Sequence, residues 1–225
     1  MAHFEIEIKS LLGEKGKADA LREKLSQLPE SAKLVRTSSQ LNHYFTGGDW
    51  KEFLKNMEPH FSGEKKKSFH RIVSEGKNHS VRTRQSDGKV LLVVKASIDD
   101  TTSSNGISRM EFEEEVSGLS LDELDAVLLK SGFEYQAKWS RDREEYAAGN
   151  ISVCLDRNAG YGYVAEFEKI VHEAHEAEGA KRELLEFMEK LGVEELPQER
   201  LERMFAHYNA HWPKYYGTEN IFVID

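Results

Sequence analysis

Apolar and charged residues alternate from the start of the chain, where Phe4, Ile6 and Ile8 interleave with Glu5, Glu7 and Lys9. Successive strand side chains point to opposite faces, so this period of two predicts a strand over residues 3–12 with one apolar and one charged face. The same alternation returns in Arg109, Glu111 and Glu113 around Met110 and Phe112, within a strand expected over 107–116. It returns again in Glu166 and Glu168, within 162–171. Cationic positions alternate too: Arg82 and Arg84 in SVRTRQ, Arg141 and Arg143 in KWSRDREEY, with Lys95 ending VLLVVKA. They fall in strands expected over 79–85, 133–147 and 89–96, and 151–155 supplies one more. Ser86-Asp87-Gly88 suits a hairpin turn and Gly149-Asn150 a tight connection.

Helical spacing appears elsewhere. Ala18, Leu21, Leu25 and Leu28 predict a helix over 15–28 that Pro29 ends. An extended segment over 34–46 leads through Gly47-Gly48 to a short helix from Asp49, its N-cap, to Met57. Residues 59–67 read as a loop and 68–74 as a strand. The polar stretch 99–106 reads as a mobile loop. Ser120 with Glu123 forms a capping box for a helix faced by Leu121, Leu124, Val127 and Leu128 and ended by Gly132. Helices are expected over 174–191 and 198–209. This order, with its hairpin-length connections, predicts a mainly antiparallel α+β domain rather than alternating β-α-β units.

Composition narrows the picture. A charged fraction of 32% over 225 residues, with mean hydropathy -0.63, describes a soluble chain. No apolar run approaches the roughly 20 residues that span a bilayer, and MAHFEIEIKS is not a secretory signal, so a cytoplasmic location without membrane attachment is expected. The net charge of -9 argues against nonspecific nucleic-acid binding. It does not exclude a phosphate substrate, because cations concentrated in one cleft set the local potential. The single Cys154 has no internal disulfide partner and packs more naturally as a small apolar residue in ISVCLD than it serves as a nucleophile.

A closed sheet would gather these carboxylates and cations in one interior. Burying charge costs several kcal/mol per ion unless it is neutralised and hydrogen-bonded, so neither set could remain there unpaired. A divalent cation held by carboxylates, with a polyanionic phosphate chain held by Arg and Lys, would satisfy both. Six elements in order carry a family resemblance: Glu5-Ile-Glu7-Ile-Lys9, the R-x-R of Arg82 and Arg84, the strand ending at Lys95, the R-x-E-x-E of Arg109 to Glu113, the R-x-R-x-x-Y of Arg141 to Tyr146, and LDRNAGYGYVAEFE. Together they resemble the CYTH domain, the triphosphate tunnel metalloenzymes, over about residues 2–171.

The resemblance implies a closed eight-stranded antiparallel β-barrel with helices packed outside. Residues 1–172 would form the tunnel core, and 173–225 would be C-terminal helices and an aromatic tail packed on it. It implies Mg²⁺ or Mn²⁺ at Glu5, Glu7, Glu166 and Glu168, joined by Glu111 and Glu113. Asp156 would bind a second metal or orient a basic residue. Lys9, Arg82, Arg84, Lys95, Arg141 and Arg143 would hold phosphate, a guanidinium fork suiting phosphate oxygens. Arg109 could equally steady Glu111 or Glu113, and Lys138 is left as an ordinary salt-bridge lysine.

Tyr44 and Arg141 are the catalytic candidates. Tyr44, in NHYF, lies where several family triphosphatases carry a Tyr that works with a Lys on water, but Arg141 occupies the Lys position. Arg is a poor general base, so a metal-positioned water with a carboxylate as proton acceptor is the substitute. Asn42 stands where many relatives have Asp. The activity implied is hydrolysis of a triphosphate: tripolyphosphate, a nucleoside triphosphate or thiamine triphosphate. Class IV adenylate cyclase is the alternative, and a polyphosphate-binding module ranks third. His172 and His175 miss the zinc-protease spacing, His207 and His211 read as a solvated or packing pair, and Lys65, Lys66 and Lys67 as a solvated run. Phe205, Tyr208, Trp212, Tyr215, Tyr216 and Phe222 are too many aromatics for a disordered tail; the tail is expected to pack on the barrel exterior or against a second copy in a homodimer, or to close one tunnel mouth.

Overall fold

The computed structural model describes residues 4–28, 32–97 and 109–224. Its strands are β1 (Phe4–Gly13), β2 (Lys33–Gly47), β3 (Lys77–Ser86), β4 (Lys89–Ser97), β5 (Arg109–Glu115), β6 (Phe133–Ala148), β7 (Ile151–Asn158) and β8 (Gly162–Val171). The helices are α1 (Lys15–Ser26), α2 (Trp50–Met57), α3 (Gly63–Glu75), α4 (Leu121–Lys130), α5 (Ala177–Lys190) and α6 (Gln198–His211). One eight-stranded sheet runs in the order β1-β8-β7-β6-β2-β3-β4-β5. The chain divides into two compact units, Met1–Ser39 with Ser140–Asp225, and Gln40–Trp139.

In the first unit β1, β8, β7 and β6 pair antiparallel in succession. Ile8, Leu12, Val153, Leu155, Ala165 and Phe167 form an apolar face under α1 and α5, packed against Leu21, Leu25, Leu184 and Met188. In the second unit β2, β3, β4 and β5 pair antiparallel. There Phe45, Val81, Leu92, Val94 and Phe112 join Phe53, Met57, Phe69, Ile72, Leu124 and Leu128 from α2, α3 and α4. Each unit therefore covers one face of its strands with helices and leaves the charged positions on the other.

Local signals act as their chemistry dictates. Asp49 accepts from the Lys51 and Glu52 amides at 2.9 and 3.1 Å and starts α2. Ser120 and Glu123 form the reciprocal capping box of α4. Asp87 and Gly88 both take positive φ, 51° and 79°, as a two-residue hairpin loop of the I′ type requires.

Two expectations differ from the structure. Residues 68–74 are helical, the end of α3, rather than a strand, and 63–67 belong to the same helix rather than to a loop. Phe69 and Ile72 are three positions apart and both buried, which is helical spacing, while Lys65, Lys66 and Lys67 lie on the exposed face and pair with Glu114, Glu58 and Glu64. The other difference is closure: β1 and β5 end the strand order, and no β1–β5 pairing joins them among the described residues. Pro29 and the 98–108 segment lie outside those residues.

Phe69 packs its ring against Phe53, Phe61 and Phe112 at 5.2 to 5.6 Å. Phe69→Ala is expected to cost about 3–5 kcal/mol of stability, read as a lower midpoint in thermal unfolding; an unchanged midpoint would show that α3 does not close this core.

The aromatic tail folds back on the turn between β7 and β8. Ile221 bridges Gly160, and the Phe222 amide donates to the Gly160 carbonyl at 2.8 Å. The Phe222 ring sits 4.8 Å from Tyr161, 4.9 Å from His207 and 5.3 Å from Tyr215. Gly160 is required there: its φ is 78°, and a Cβ would meet the Tyr208 ring at 2.8 Å. Truncation after Ala210 should lower the unfolding midpoint measured by calorimetry, and an unaltered midpoint would contradict this packing.

Candidate functional site

Register decides which charged side chains share a face, because directly paired residues project to the same side. In the first unit Glu7 pairs with Glu168 and Lys9 with Glu166. Glu166 also pairs with Cys154, Cys154 with Glu145, and Asp156 with Arg143. Glu7, Lys9, Arg141, Arg143, Glu145, Asp156, Glu166 and Glu168 thus occupy one face. Glu5 takes the next alternate backbone position of β1, opposite Ile170.

Ion pairs knit this face together. Lys9 contacts Glu7, and lies 3.1 Å from Glu166. Asp156 is fully buried and accepts from Arg143 Nε at 2.7 Å, from Arg143 Nη2 at 2.7 Å and from Arg141 Nη1 at 3.0 Å. Arg143 reaches onward to Glu166. Burial pushes the Glu166 carboxyl up, but Lys9, Arg143 and Arg141 outweigh it and hold the group down at about 2. Burial works against the Arg143 charge as well, and Asp156 and Glu166 more than restore it. Cys154, between them, is pushed by burial up to about 12, so it remains a thiol and is no nucleophile at neutral pH.

In the second unit Asn42 pairs with Arg84 and Tyr44 with Arg82, while Lys95 pairs with Glu111. Arg82 donates to the Tyr44 hydroxyl at 2.6 Å. Arg84 donates from Nε to Asn42 at 2.8 Å and from Nη1 to Glu113 at 2.7 Å. Lys95 lies 3.1 Å from Glu111. Arg82 Nε is buried and has no hydrogen-bond partner among the described residues. A buried donor left open in this way costs free energy that an anionic oxygen would recover.

Every candidate side chain that is described stands in one of these two sets. Tyr44, Arg82, Arg84, Lys95, Glu111 and Glu113 are in the second unit; Lys9, Glu7, Arg141, Arg143, Asp156, Glu166 and Glu168 are in the first. Glu145 is the face residue that motif reasoning passed over. Lys138 belongs elsewhere, 3.9 Å from Asp125 and 4.2 Å over the Tyr135 ring. His207 and His211 stack on each other at 4.5 Å, with His207 Nε2 near the Tyr215 hydroxyl.

The carboxylates offer hard oxygen donors of the kind Mg²⁺ and Mn²⁺ prefer, and Lys9, Arg143 and Arg141 keep Glu166 ionised. Among the described residues, no three His, Cys, Asp or Glu side chains converge into a metal-binding group. No helix among those residues is long and apolar enough to cross a membrane.

No curated protein matches the chain in sequence. Solved structures share its fold. The PH1819 protein of Pyrococcus horikoshii OT3 has a TM-score of 0.59 at 21% identity, over 90% of this chain and 98% of that one. The PH1012 protein of the same organism gives 0.57 at 19%, over 84% and 91%. A protein of Vibrio parahaemolyticus, whose description proposes an adenylate cyclase, gives 0.57 at 14%, over 92% and 99%. The CYTH domain model matches residues 71–200, more than half of the chain, and with the paired charged strands in place the chain belongs to the CYTH family, the triphosphate tunnel metalloenzymes.

Proposed function

We propose that this chain is a divalent-metal-dependent triphosphatase. The observation that carries the reading is Arg82, a guanidinium steadied by Tyr44 with its buried Nε left open, beside Arg84 on the same face. Such donors suit a phosphate chain better than a neutral ligand. Lys9, Lys95, Arg141 and Arg143 add cations in the same role. The proposal takes 1–172 as the catalytic core, 173–225 as its C-terminal part, and a closed tunnel as the working form of the sheet.

Glu5, Glu7, Glu166 and Glu168 would hold Mg²⁺ or Mn²⁺, with Glu111 and Glu113 as further oxygen donors. Bound there, the metal supplies Lewis-acid polarisation of the phosphoryl oxygens. Arg and Lys hold the phosphate chain in line for attack by water on the terminal phosphorus, and the bond to the bridging oxygen breaks as diphosphate or a diphosphate ester leaves. The water's proton goes to a carboxylate. Glu166, held at about 2, is a weak acceptor; Glu145, a carboxylate of that face not assigned to the metal, takes the proton in this reading. Tyr44 orients Arg82, and Arg141 binds phosphate rather than serving as a base.

The alternative is an adenylate cyclase, the activity that the description of the Vibrio neighbour proposes for that protein. In it the ribose hydroxyl attacks the α-phosphorus and pyrophosphate leaves. Phosphorus NMR after incubation with ATP or tripolyphosphate and Mg²⁺ or Mn²⁺ separates the readings. Orthophosphate is the expected product; cyclic AMP with pyrophosphate would replace hydrolysis by cyclisation, and unchanged substrate that nonetheless binds would reduce the protein to a polyphosphate-binding module.

A further inference from the structure

Behind the arginines of the second unit lies a buried acid that the reaction does not use. Asp125, on α4, is 1% exposed. Its Oδ1 accepts from the Thr83 hydroxyl at 2.6 Å. Its Oδ2 lies 2.6 Å from His43 Nδ1 and accepts from the Tyr135 hydroxyl at 2.7 Å. Lys138 completes the group at 3.9 Å.

The positions of those partners give the cluster its meaning. His43 and Thr83 are a directly paired couple across β2 and β3. His43 is flanked in sequence by Asn42 and Tyr44, and Thr83 by Arg82 and Arg84, all four on the opposite face. Those four pair two by two across the same strands, and their side chains hydrogen-bond in the same couples. One carboxylate on α4 therefore grips the centre of the strand pair whose other face carries the proposed phosphate donors.

We infer that Asp125 is a positioning residue: by tying His43 and Thr83 to α4 it fixes the strand pair, and so sets the placement of Arg82 and Arg84 for a phosphate chain. Stability alone does not call for a carboxylate here. Well-packed apolar groups replacing buried ion networks are often neutral or stabilising, and Leu121, Leu124 and Leu128 already bury the α4 face. What an apolar side chain cannot do is hold two strands by directed bonds to both. The inference rests on the triphosphate reading of this face.

The test is tripolyphosphate binding by titration calorimetry in metal-free buffer, beside thermal unfolding, for wild type, Asp125→Asn, Asp125→Leu, Thr83→Val and Leu128→Ala. The Asp125 variants should fold and bind about tenfold more weakly, as for loss of one charge-assisted contact. Thr83→Val should follow in the same direction with a smaller change. Leu128→Ala, a core change next to the network, should lower the unfolding midpoint and leave affinity intact. Folded Asp125 variants that bind as wild type does would overturn the inference, and so would equal weakening in Leu128→Ala. If neither Asp125 variant folds, Thr83→Val decides: weakened binding supports the positioning role and wild-type affinity refutes it. A wild type that binds no tripolyphosphate either in this buffer or with Mg²⁺ added would instead remove the triphosphate reading, and this inference with it.

Discussion

Glu166→Gln is expected to abolish turnover while leaving the protein folded. Glu166 stands opposite Lys9 across β1 and β8, contacts Arg143, and is held ionised by its cationic neighbours. The amide keeps the volume and one acceptor oxygen but removes the charge a hard divalent cation needs. Loss of residues that merely support a metal ligand costs roughly 10–100-fold, so loss of a ligand should reach or exceed the upper figure. Structural damage should be limited, because Arg143 keeps Asp156 and Lys9 keeps Glu7. The measurement is phosphate release across a metal titration, with circular dichroism as the control for folding. Wild-type turnover at ordinary metal concentration would reject Glu166 as a ligand.

The charged face was legible in the sequence because strand alternation is a local property. Glu7 with Lys9, Arg141 with Arg143, and Glu166 with Glu168 needed only the period of two, and register then paired them. Glu145 continues the Arg141 and Arg143 alternation but is masked by its neighbour Glu144, which belongs to the opposite face, where Arg22 of α1 binds it. The strand expected over 68–74 is instead the end of α3 for a tertiary reason: Phe69 and Ile72 bury together against the second unit's core. Asp125 was illegible for a related reason. It lies within the apolar stripe of α4, and its partners come from β2, β3 and β6, so nothing within its own helix announces a buried acid. Closure of the sheet depends on pairing between its terminal strands, which side-chain alternation does not encode.

Asp156→Ala is expected to damage the fold heavily, and it also assigns the residue's role. Sequence reasoning left Asp156 between a second metal site and the support of a basic residue. In the structure it is fully buried, and three guanidinium hydrogen bonds converge on its two oxygens, from Arg141 and Arg143. Removing it takes away the fully buried acceptor that Arg141 and Arg143 share, with Glu166 remaining to Arg143. Deleting one partner of a buried ion pair typically costs about 3–5 kcal/mol, well beyond an exposed pair. In a chain of this length each kcal/mol shifts the melting midpoint by about 2–4 °C, so the expected drop is on the order of ten degrees. Asp156→Asn retains one acceptor and should lose less. Where either variant remains folded, a supporting role predicts a raised apparent constant for substrate, because Arg141 and Arg143 are freed, with the metal dependence of the residual rate unchanged. A shift of the metal requirement to higher concentration, with substrate affinity intact, would move Asp156 back among the metal ligands.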